Sequence, residues 1–288
     1  MYQVDAVTGI VSTLGEGPVW YDGTLHWVDI AEKRVHGYNP GRAEWSSLQL
    51  PKMVGALVPR EKGGWVIAQE TGFAFLDAHG RVEHIADPES HEPRTRFNDG
   101  KCDPRGRFWA GTMARNSERG IAALYMLDVH GRVHVRLTGV SCSNGLCWSS
   151  DGTVMYYIDT PLRRVDAFDF DPETGAIANC RTVIDLEGEI GIPDGMTIDS
   201  EGNLWIALWN GGCVICCDPR TGTVVERVPV PASRVTSCTF GGEDLGDLYI
   251  TTARIGLTDE ELAEQPLAGR LFRTRVGVRG TPAVAYAG

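Results

Sequence analysis

The sequence lacks the features that mark membrane proteins and nucleic-acid-binding proteins. No stretch approaches the length of a membrane span, and the amino terminus has neither a basic start nor an apolar run. There is no basic stripe, and 38 acidic side chains outnumber 27 Lys and Arg residues to give a net charge of −11. These absences argue against membranes and nucleic acid as partners, because nothing would neutralise the phosphates. The acidic balance is compatible with holding a cation.

Disulfide and nucleophile motifs are also missing. The eight cysteines lie inside strand-like segments, which predicts a reducing compartment and favours a soluble, cytoplasmic protein. Cys213-Val-Ile-Cys216-Cys217 has the spacing of a redox or metal motif. In an apolar strand, however, Cys213 and Cys216 point to opposite faces, so we interpret them as core residues. No Ser, Cys or His lies in a motif such as G-x-S-x-G, and we expect no covalent intermediate.

What the sequence does contain is a repeat. A glycine followed about ten residues later by an aromatic strand recurs along the chain, with the aromatic residues at positions 27, 65, 109, 156, 205 and 249. Successive copies lie 38 to 49 residues apart, which is the period of a four-stranded propeller blade. The sequence therefore predicts an all-β protein, a single six-bladed β-propeller domain over residues 1–288. We expect a first strand near Tyr2–Val7 to pair with a last strand near Pro282–Tyr286 and close the ring.

The residue before each glycine is the candidate functional position. If the repeats are equivalent, these residues lie at one level near the central axis: Glu16, Val54, Asp99, Asn144, Asp194 and Ser237. Carboxylates and an amide carbonyl are the ligands of a hard divalent cation such as Ca²⁺, Mg²⁺ or Mn²⁺, with Zn²⁺ and Fe²⁺ also open. The competing interpretation is that Asp-Gly and Asn-Gly pairs are ordinary turns whose side chains cap the local backbone. A shared axial position favours a metal site in the central tunnel, because converging carboxylates would otherwise repel one another.

Two segments fall outside the repeat. Residues 86–95 form a polar, proline-bounded loop that could cover one end of the tunnel. Thr258-Asp259-Glu260-Glu261 contains a capping box and predicts a short surface helix between the strands of the last two blades.

Several short motifs, taken together and in order, resemble the SMP-30/gluconolactonase/regucalcin family. They are Leu14-Gly15-Glu16-Gly17-Pro18-Val19-Trp20, Arg96-Phe97-Asn98-Asp99-Gly100-Lys101, Ala110-Gly111-Thr112-Met113, Ser143-Asn144-Gly145-Leu146, Pro193-Asp194-Gly195-Met196, Ser237-Cys238-x-Phe240-Gly241-Gly242 and the final Tyr286-Ala287-Gly288. The resemblance covers essentially the whole chain. It implies a six-bladed propeller that binds one divalent metal and hydrolyses sugar lactones such as gluconolactone to the aldonic acid.

The resemblance also implies roles for residues of the axial set. Glu16, Asn144 and Asp194 match the metal ligands of the family, and Asp194 would also be the catalytic general base. The metal would polarise the lactone carbonyl while Asp194 accepts a proton from the attacking water. Because this role requires the ionised carboxylate, we expect activity to fail in acid.

The substrate contacts implied by the resemblance are Arg96 and Asn98, which would read ring hydroxyls and the lactone oxygen. After Gly-Thr-Met, animal members of the family carry a glutamate that contacts substrate. The matching position here is Asn116, with Glu118 as the alternative after a shift of the loop. We therefore expect substrate preference to differ more than reaction type.

Other functions stay open at this point. The chain could be a calcium-binding regulator without important catalysis, or an esterase or phosphotriesterase that uses the same centre. A protein-interaction propeller is a further possibility, although the Gly-His and Trp-Asp series of the WD type is absent. The lactone, the metal and the oligomeric state stay open as well, and a monomer is compatible with the sequence.

Overall fold

The computed structural model describes residues 2–7 and 9–288, and these residues form six antiparallel sheets of four strands each. The innermost strands of successive sheets contact one another, and the innermost strand of the sixth sheet contacts that of the first. This ring confirms the six-bladed propeller that the repeat predicts.

Each blade runs from an innermost strand beside the axis to an outermost strand at the rim. In chain order, the strands are β1 (Asp5–Ala6); β2 (Gly15–Tyr21), β3 (Thr24–Asp29), β4 (Arg34–Asn39) and β5 (Glu44–Gln49) in blade 1; β6 (Val54–Pro59), β7 (Trp65–Gln69), β8 (Gly72–Leu76) and β9 (Val82–Ala86) in blade 2; β10 (Thr95–Cys102), β11 (Phe108–Ala114), β12 (Ala122–Leu127) and β13 (Val133–Val140) in blade 3; β14 (Ser143–Trp148), β15 (Val154–Asp159), β16 (Arg164–Asp171) and β17 (Ala176–Asp185) in blade 4; β18 (Ile192–Ile198), β19 (Leu204–Trp209), β20 (Cys213–Asp218) and β21 (Thr223–Pro229) in blade 5; and β22 (Val235–Gly241), β23 (Asp247–Thr252) and β24 (Phe272–Arg275) in blade 6.

The ring is closed by the amino-terminal strand, as expected, but not with the expected partner. β1 pairs with β24, and no named strand forms over residues 282–286. The carboxy-terminal segment instead makes two isolated bridges, Asp199 to Gly280 and Arg60 to Tyr286. Tyr286 is 1% exposed and its hydroxyl donates to the Asp128 carbonyl at 2.7 Å. Burial of this aromatic side chain draws the segment from blade 5 across to blade 2, away from the edge of β24.

Two of the repeated tryptophans are held by a carboxylate just after the innermost strand. Asp103 accepts from the Trp109 indole nitrogen at 2.8 Å, and Asp199 accepts from the Trp205 indole nitrogen at 2.9 Å. The same carboxylates also accept backbone N–H groups two and four residues later, which closes the turn before the second strand. In blades 3 and 5, this arrangement sets the distance from the turn to the tryptophan.

Every innermost strand carries a break in register at the level of the axial positions. The breaks fall between Glu16 and Val19, Val54 and Ala56, Phe97 and Gly100, Asn144 and Leu146, Pro193 and Met196, and Val235 and Ser237. An extra residue in one strand locally bends it and changes the direction of its side chains. Six bulges at one level therefore build the ring of axial residues.

The glycines of the repeat permit the close approach of neighbouring innermost strands. A Cβ on Gly195 would lie 2.1 Å from the Ser237 hydroxyl oxygen, and a Cβ on Gly55 would lie 2.2 Å from the Asn98 carbonyl oxygen. Both distances are far below van der Waals contact, so any larger residue would push adjacent blades apart.

Two further predictions are confirmed. Cys216 packs in one hydrophobic core, while Cys213 and Cys217 pack in another, and all eight cysteines are free thiols. The capping box at Thr258 begins α1 (Asp259–Glu264). In the part of the chain that the structure describes, no helix is long and apolar enough to cross a membrane.

We predict that Gly195→Ala lowers the free energy of unfolding by about 2 to 4 kcal/mol, because the new methyl group overlaps the backbone and side chain of Ser237. Gly188→Ala is the matched control on the loop that precedes the same blade, since nothing in the described part of the chain lies within 4 Å of a Cβ there. Urea denaturation would measure both. Equal stability of the two variants would show that blade spacing does not depend on the repeat glycine.

We also predict an acid-sensitive contribution from His26, whose ring packs 4.3 Å from Trp65 of the neighbouring blade. Burial lowers the pKa of His26 from 6.5 to about 4. The unfolded chain therefore binds the proton more readily, and the free energy of unfolding falls by roughly 2 to 3 kcal/mol as pH drops from 6.5 to 4. His26→Phe should flatten this part of the stability profile, whereas the exposed His79→Gln should not. Parallel profiles for wild type and His26→Phe would contradict the assignment.

Candidate functional site

Three carboxyl groups from three blades converge inside the tunnel. Glu16, Asp99 and Asp194 are only 6 to 7% exposed. Burial, followed by the charges of Asp194 and Asp99, raises the pKa of Glu16 well above its ordinary value. Burial and the charge of Asp99 do the same for Asp194. The predicted convergence of the repeat positions is therefore present, and the cluster resists carrying its full negative charge.

The interpretation of these residues as ordinary turn formers accounts for some of their hydrogen bonds. The Glu16 carboxylate accepts the N–H of Gly17 at 2.9 Å, and the Asp99 carboxylate accepts the N–H of Gly100 at 2.7 Å. Each of these bonds uses one oxygen of its carboxylate. Local capping and a shared axial site are therefore compatible in the same side chain.

Asn144 has an unused acceptor at the centre of the site. Thr160 donates its hydroxyl proton to the Pro193 carbonyl at 2.9 Å, so its oxygen must accept from the Asn144 amide nitrogen, which lies 3.0 Å away. This fixes the orientation of the amide. The opposite atom, Asn144 Oδ1, is buried and has no hydrogen-bond partner among residues 2–7 and 9–288. Such an orphaned acceptor costs about 1 to 3 kcal/mol unless a ligand satisfies it.

The donor atoms fit a hard divalent cation. Glu16 and Asp194 supply carboxylate oxygens, and Asn144 supplies an amide oxygen. Asn144 and Glu16 lie close enough to Asp194 to influence the pKa of its carboxyl group. Oxygen donors with two negative charges suit Ca²⁺, Mg²⁺ or Mn²⁺ better than a metal that prefers nitrogen and sulfur. Among residues 2–7 and 9–288, no group of three or more His, Cys, Asp or Glu side chains is arranged to hold a metal. The third donor here is an amide.

The two predicted substrate residues contact each other beside this cluster. Arg96 donates through Nη1 to Asn98 Oδ1 at 3.0 Å and to the Phe97 carbonyl at 2.9 Å. Asn98 in turn donates to the Ser143 carbonyl at 2.8 Å, which links blades 3 and 4. Burial, and then the charge of Arg115, lowers the pKa of Arg96. Two hydrogen bonds thus hold the guanidinium in place, and no carboxylate in the described part of the chain forms an ion pair with it.

Asn116 lies on an exposed loop, and its amide oxygen accepts the Glu118 N–H at 3.2 Å. Glu118 pairs with Arg94 at 2.9 Å. These contacts give Asn116 a turn-forming role and engage Glu118 with another side chain. A contact of either residue with substrate stays a prediction.

The loop over residues 86–95 is anchored by Glu89. Its carboxylate accepts the hydroxyls of Thr112 at 2.8 Å and Tyr125 at 2.9 Å, and it also bonds Thr95 at the start of β10. The loop therefore has a fixed attachment to blade 3 immediately before Arg96. Whether it covers the tunnel stays a prediction.

Three contacts of the site were missed from the sequence. Thr160 orients Asn144, Lys101 donates to the Met196 carbonyl at 2.8 Å, and Arg115 pairs with Glu70 at 3.0 Å. The motif around residue 96 already contained Lys101. No sequence pattern indicated the other two contacts, because each joins different strands.

A cavity of about 290 Å³ occupies the tunnel next to the axial cluster. Asp99 and Lys101 lie in its wall, together with residues 281–284 of the carboxy-terminal segment. Glu16, Asn144, Asp194 and Arg96 are not part of this wall. The cavity therefore borders the axial cluster at Asp99, while the Arg96 side chain lies outside its wall.

The chain is therefore a six-bladed propeller in which carboxyl groups from three blades are buried next to one another. A profile of the SMP-30/Gluconolactonase/LRE-like region matches residues 14–254, and the chain belongs to this family. Regucalcin of Danio rerio is 46% identical over 291 residues, or 99% of each chain.

Two solved structures extend the comparison. The calcium-binding protein regucalcin of Agrobacterium tumefaciens has 31% identity and a TM-score of 0.95, with 100% of this chain and 98% of that chain covered. A luciferin-regenerating enzyme has 34% identity and a TM-score of 0.95, with both chains fully covered. The relatives thus share one fold and carry names with different functional meanings.

We predict that Asp194→Asn does not lose stability in the presence of a chelator, and gains up to about 1 kcal/mol, because it removes one of three buried like charges. Asp199→Asn is the control on the same segment. Its carboxylate is 1% exposed and fully hydrogen-bonded, so its replacement should cost about 1 to 3 kcal/mol. Chemical denaturation would compare them, and equal losses would contradict the repulsion argument.

Proposed function

We propose that this protein is a metal-dependent lactonase that hydrolyses sugar lactones to aldonic acids. The observation that carries the proposal is the buried, unsatisfied Asn144 Oδ1 beside the carboxyl groups of Glu16 and Asp194. These three residues would hold one divalent cation, and the hard oxygen donors favour Ca²⁺, Mg²⁺ or Mn²⁺ over Zn²⁺ or Fe²⁺. The chain belongs to a family whose description includes gluconolactonase, and this supports lactone hydrolysis as the reaction.

The bound cation would polarise the lactone carbonyl and stabilise the developing oxyanion. Asp194 is the proposed general base. Its carboxylate takes a proton from the water that attacks the carbonyl carbon, and it returns that proton to the ring oxygen as the ester bond breaks. Overall, one lactone and one water give one aldonic acid.

Arg96 and Asn98 are the proposed orienting residues. Their mutual hydrogen bond, and the bond from Asn98 to Ser143, hold both side chains before substrate arrives. Fixed donors reduce the entropy that is lost when the lactone is positioned for attack. Asn116 is retained as a third candidate contact on the exposed loop.

A calcium-binding regulatory protein is the second candidate function. The name of the Agrobacterium relative favours it, and the oxygen donors suit calcium equally well. This alternative predicts tight cation binding with negligible lactone turnover. An esterase or phosphotriesterase that uses the same centre predicts turnover of other esters.

The test is proton release from D-glucono-1,5-lactone and a small panel of pentonolactones and hexonolactones, before and after metal is removed and restored. We expect turnover to vanish with chelator and to return with one divalent cation. Asp194→Asn should lower kcat by about 10² to 10⁴-fold, because it removes the proton acceptor. Glu16→Gln and Asn144→Ala should weaken cation binding measured by calorimetry.

The matched control is Asp166→Asn, the same chemical change at a buried carboxylate that bonds Thr182 and Arg164. It should keep its turnover and its cation affinity. Tight cation binding without hydrolysis of any lactone above the spontaneous rate would reject the lactonase and favour the calcium-binding alternative.

A further inference from the structure

The charges around the axial site pair off with one exception. The two carboxylates Glu16 and Asp194 together balance one divalent cation. Burial raises the pKa of Asp99, and the positive charge of Lys101, which lies beside Asp99 in the cavity wall, opposes that rise.

Beside the site, Arg115 pairs with Glu70 at 3.0 Å and donates to the Thr95 carbonyl. Arg96 has no ion-pair partner within residues 2–7 and 9–288. With the cation bound, Arg96 is the positive charge that the protein itself does not balance.

The geometry of Arg96 shows which part of its guanidinium group is available. Both of its hydrogen bonds to the protein are made by Nη1. In the described part of the chain, neither Nε nor Nη2 donates to a protein acceptor, so one edge of the planar group remains free. Two parallel N–H groups on a guanidinium edge match the two oxygens of a carboxylate.

The surroundings raise the cost of leaving this charge unbalanced. The Arg96 side chain is partly buried, and the positive Arg115 lies close enough to disfavour the Arg96 charge. The charges of Glu16 and Glu70 favour the charged form of Arg96, but Glu70 pairs with Arg115, and Glu16 would bind the cation. An anion at the free edge would offset the repulsion between the two guanidinium groups.

We propose that the preferred substrate is a sugar lactone that carries a second, free carboxylate, which binds the unoccupied edge of Arg96. This inference rests on the proposed lactonase function and specifies its substrate class. The lactone carbonyl would then lie beside the cation that the axial oxygens hold, while the distant carboxylate sets the orientation of the ring. A neutral lactone lacks the second contact and leaves the Arg96 charge without a counter-ion.

The experiment uses two lactones that differ at one carbon. D-glucono-1,4-lactone ends in a hydroxymethyl group, and D-glucaro-1,4-lactone has a carboxylate at the same position. For the wild-type protein with its metal, at neutral pH, we expect kcat/KM to be at least about tenfold higher for the glucarolactone, as a charge-assisted bidentate contact predicts.

Variants assign the preference to a residue. Arg96→Gln should bring the kcat/KM values for the two lactones close to each other. Arg96→Lys should keep only part of the preference for the glucarolactone, because lysine keeps the positive charge but lacks the two parallel N–H groups of the guanidinium. Arg119→Gln is the matched control, since Arg119 is exposed on the loop that follows Arg115. It should keep the ratio if the contact is direct, and lower the ratio if general attraction of anions is responsible.

The outcomes separate the two proposals. Turnover of the gluconolactone without preference for the glucarolactone overturns this inference and leaves the lactonase in place. A preference that survives Arg96→Gln also overturns it, because another residue then reads the carboxylate. Failure to hydrolyse either lactone rejects both proposals. The wild-type comparison decides the question even if the Arg96 variants do not fold.

Discussion

Repulsion between buried carboxyl groups is the constraint on which the centre of this structure depends. Glu16, Asp99 and Asp194 come from three blades and meet out of contact with bulk water, where like charges are poorly screened. Chains normally avoid such an arrangement, and here six β-bulges and a ring of close glycine contacts impose it. The stability of the blades outside the tunnel offsets the strain at the axis, as is common at functional sites.

The bonds that support the site come from outside the axial cluster. Thr160 turns the Asn144 amide so that its oxygen stays unused, and Asn98 is held by the Ser143 backbone. A site supported in this way is organised before a ligand arrives, which lowers the entropy lost on binding. The same preorganised oxygens would serve calcium binding or metal-assisted hydrolysis. This explains how relatives of one fold can carry names with different functional meanings.

The cavity and the surroundings of Arg96 differ in chemistry. The cavity of about 290 Å³ is bordered by Lys101 and by residues 281–284, which the buried Tyr286 helps to hold across the ring. Arg96 is not part of that wall. It lies near Arg115 and directly follows Thr95, which bonds Glu89 of the 86–95 loop. The selectivity of the proposed site is therefore expected to depend on the residues around Arg96 in blade 3.

The sequence by itself determined the blade count, the aromatic strands and the six axial positions, because each depends on a local pattern that returns with every repeat. The capping box at Thr258 and the core role of Cys216 were equally local. The partner of the first strand was decided by the tertiary structure, since burial of Tyr286 took the carboxy-terminal segment elsewhere and left β24 to pair with β1. The orientation of Asn144 by Thr160, and the free edge of Arg96, were also decided there. These features join residues with no fixed spacing in the repeat, so only the packing of one blade against the next could specify them.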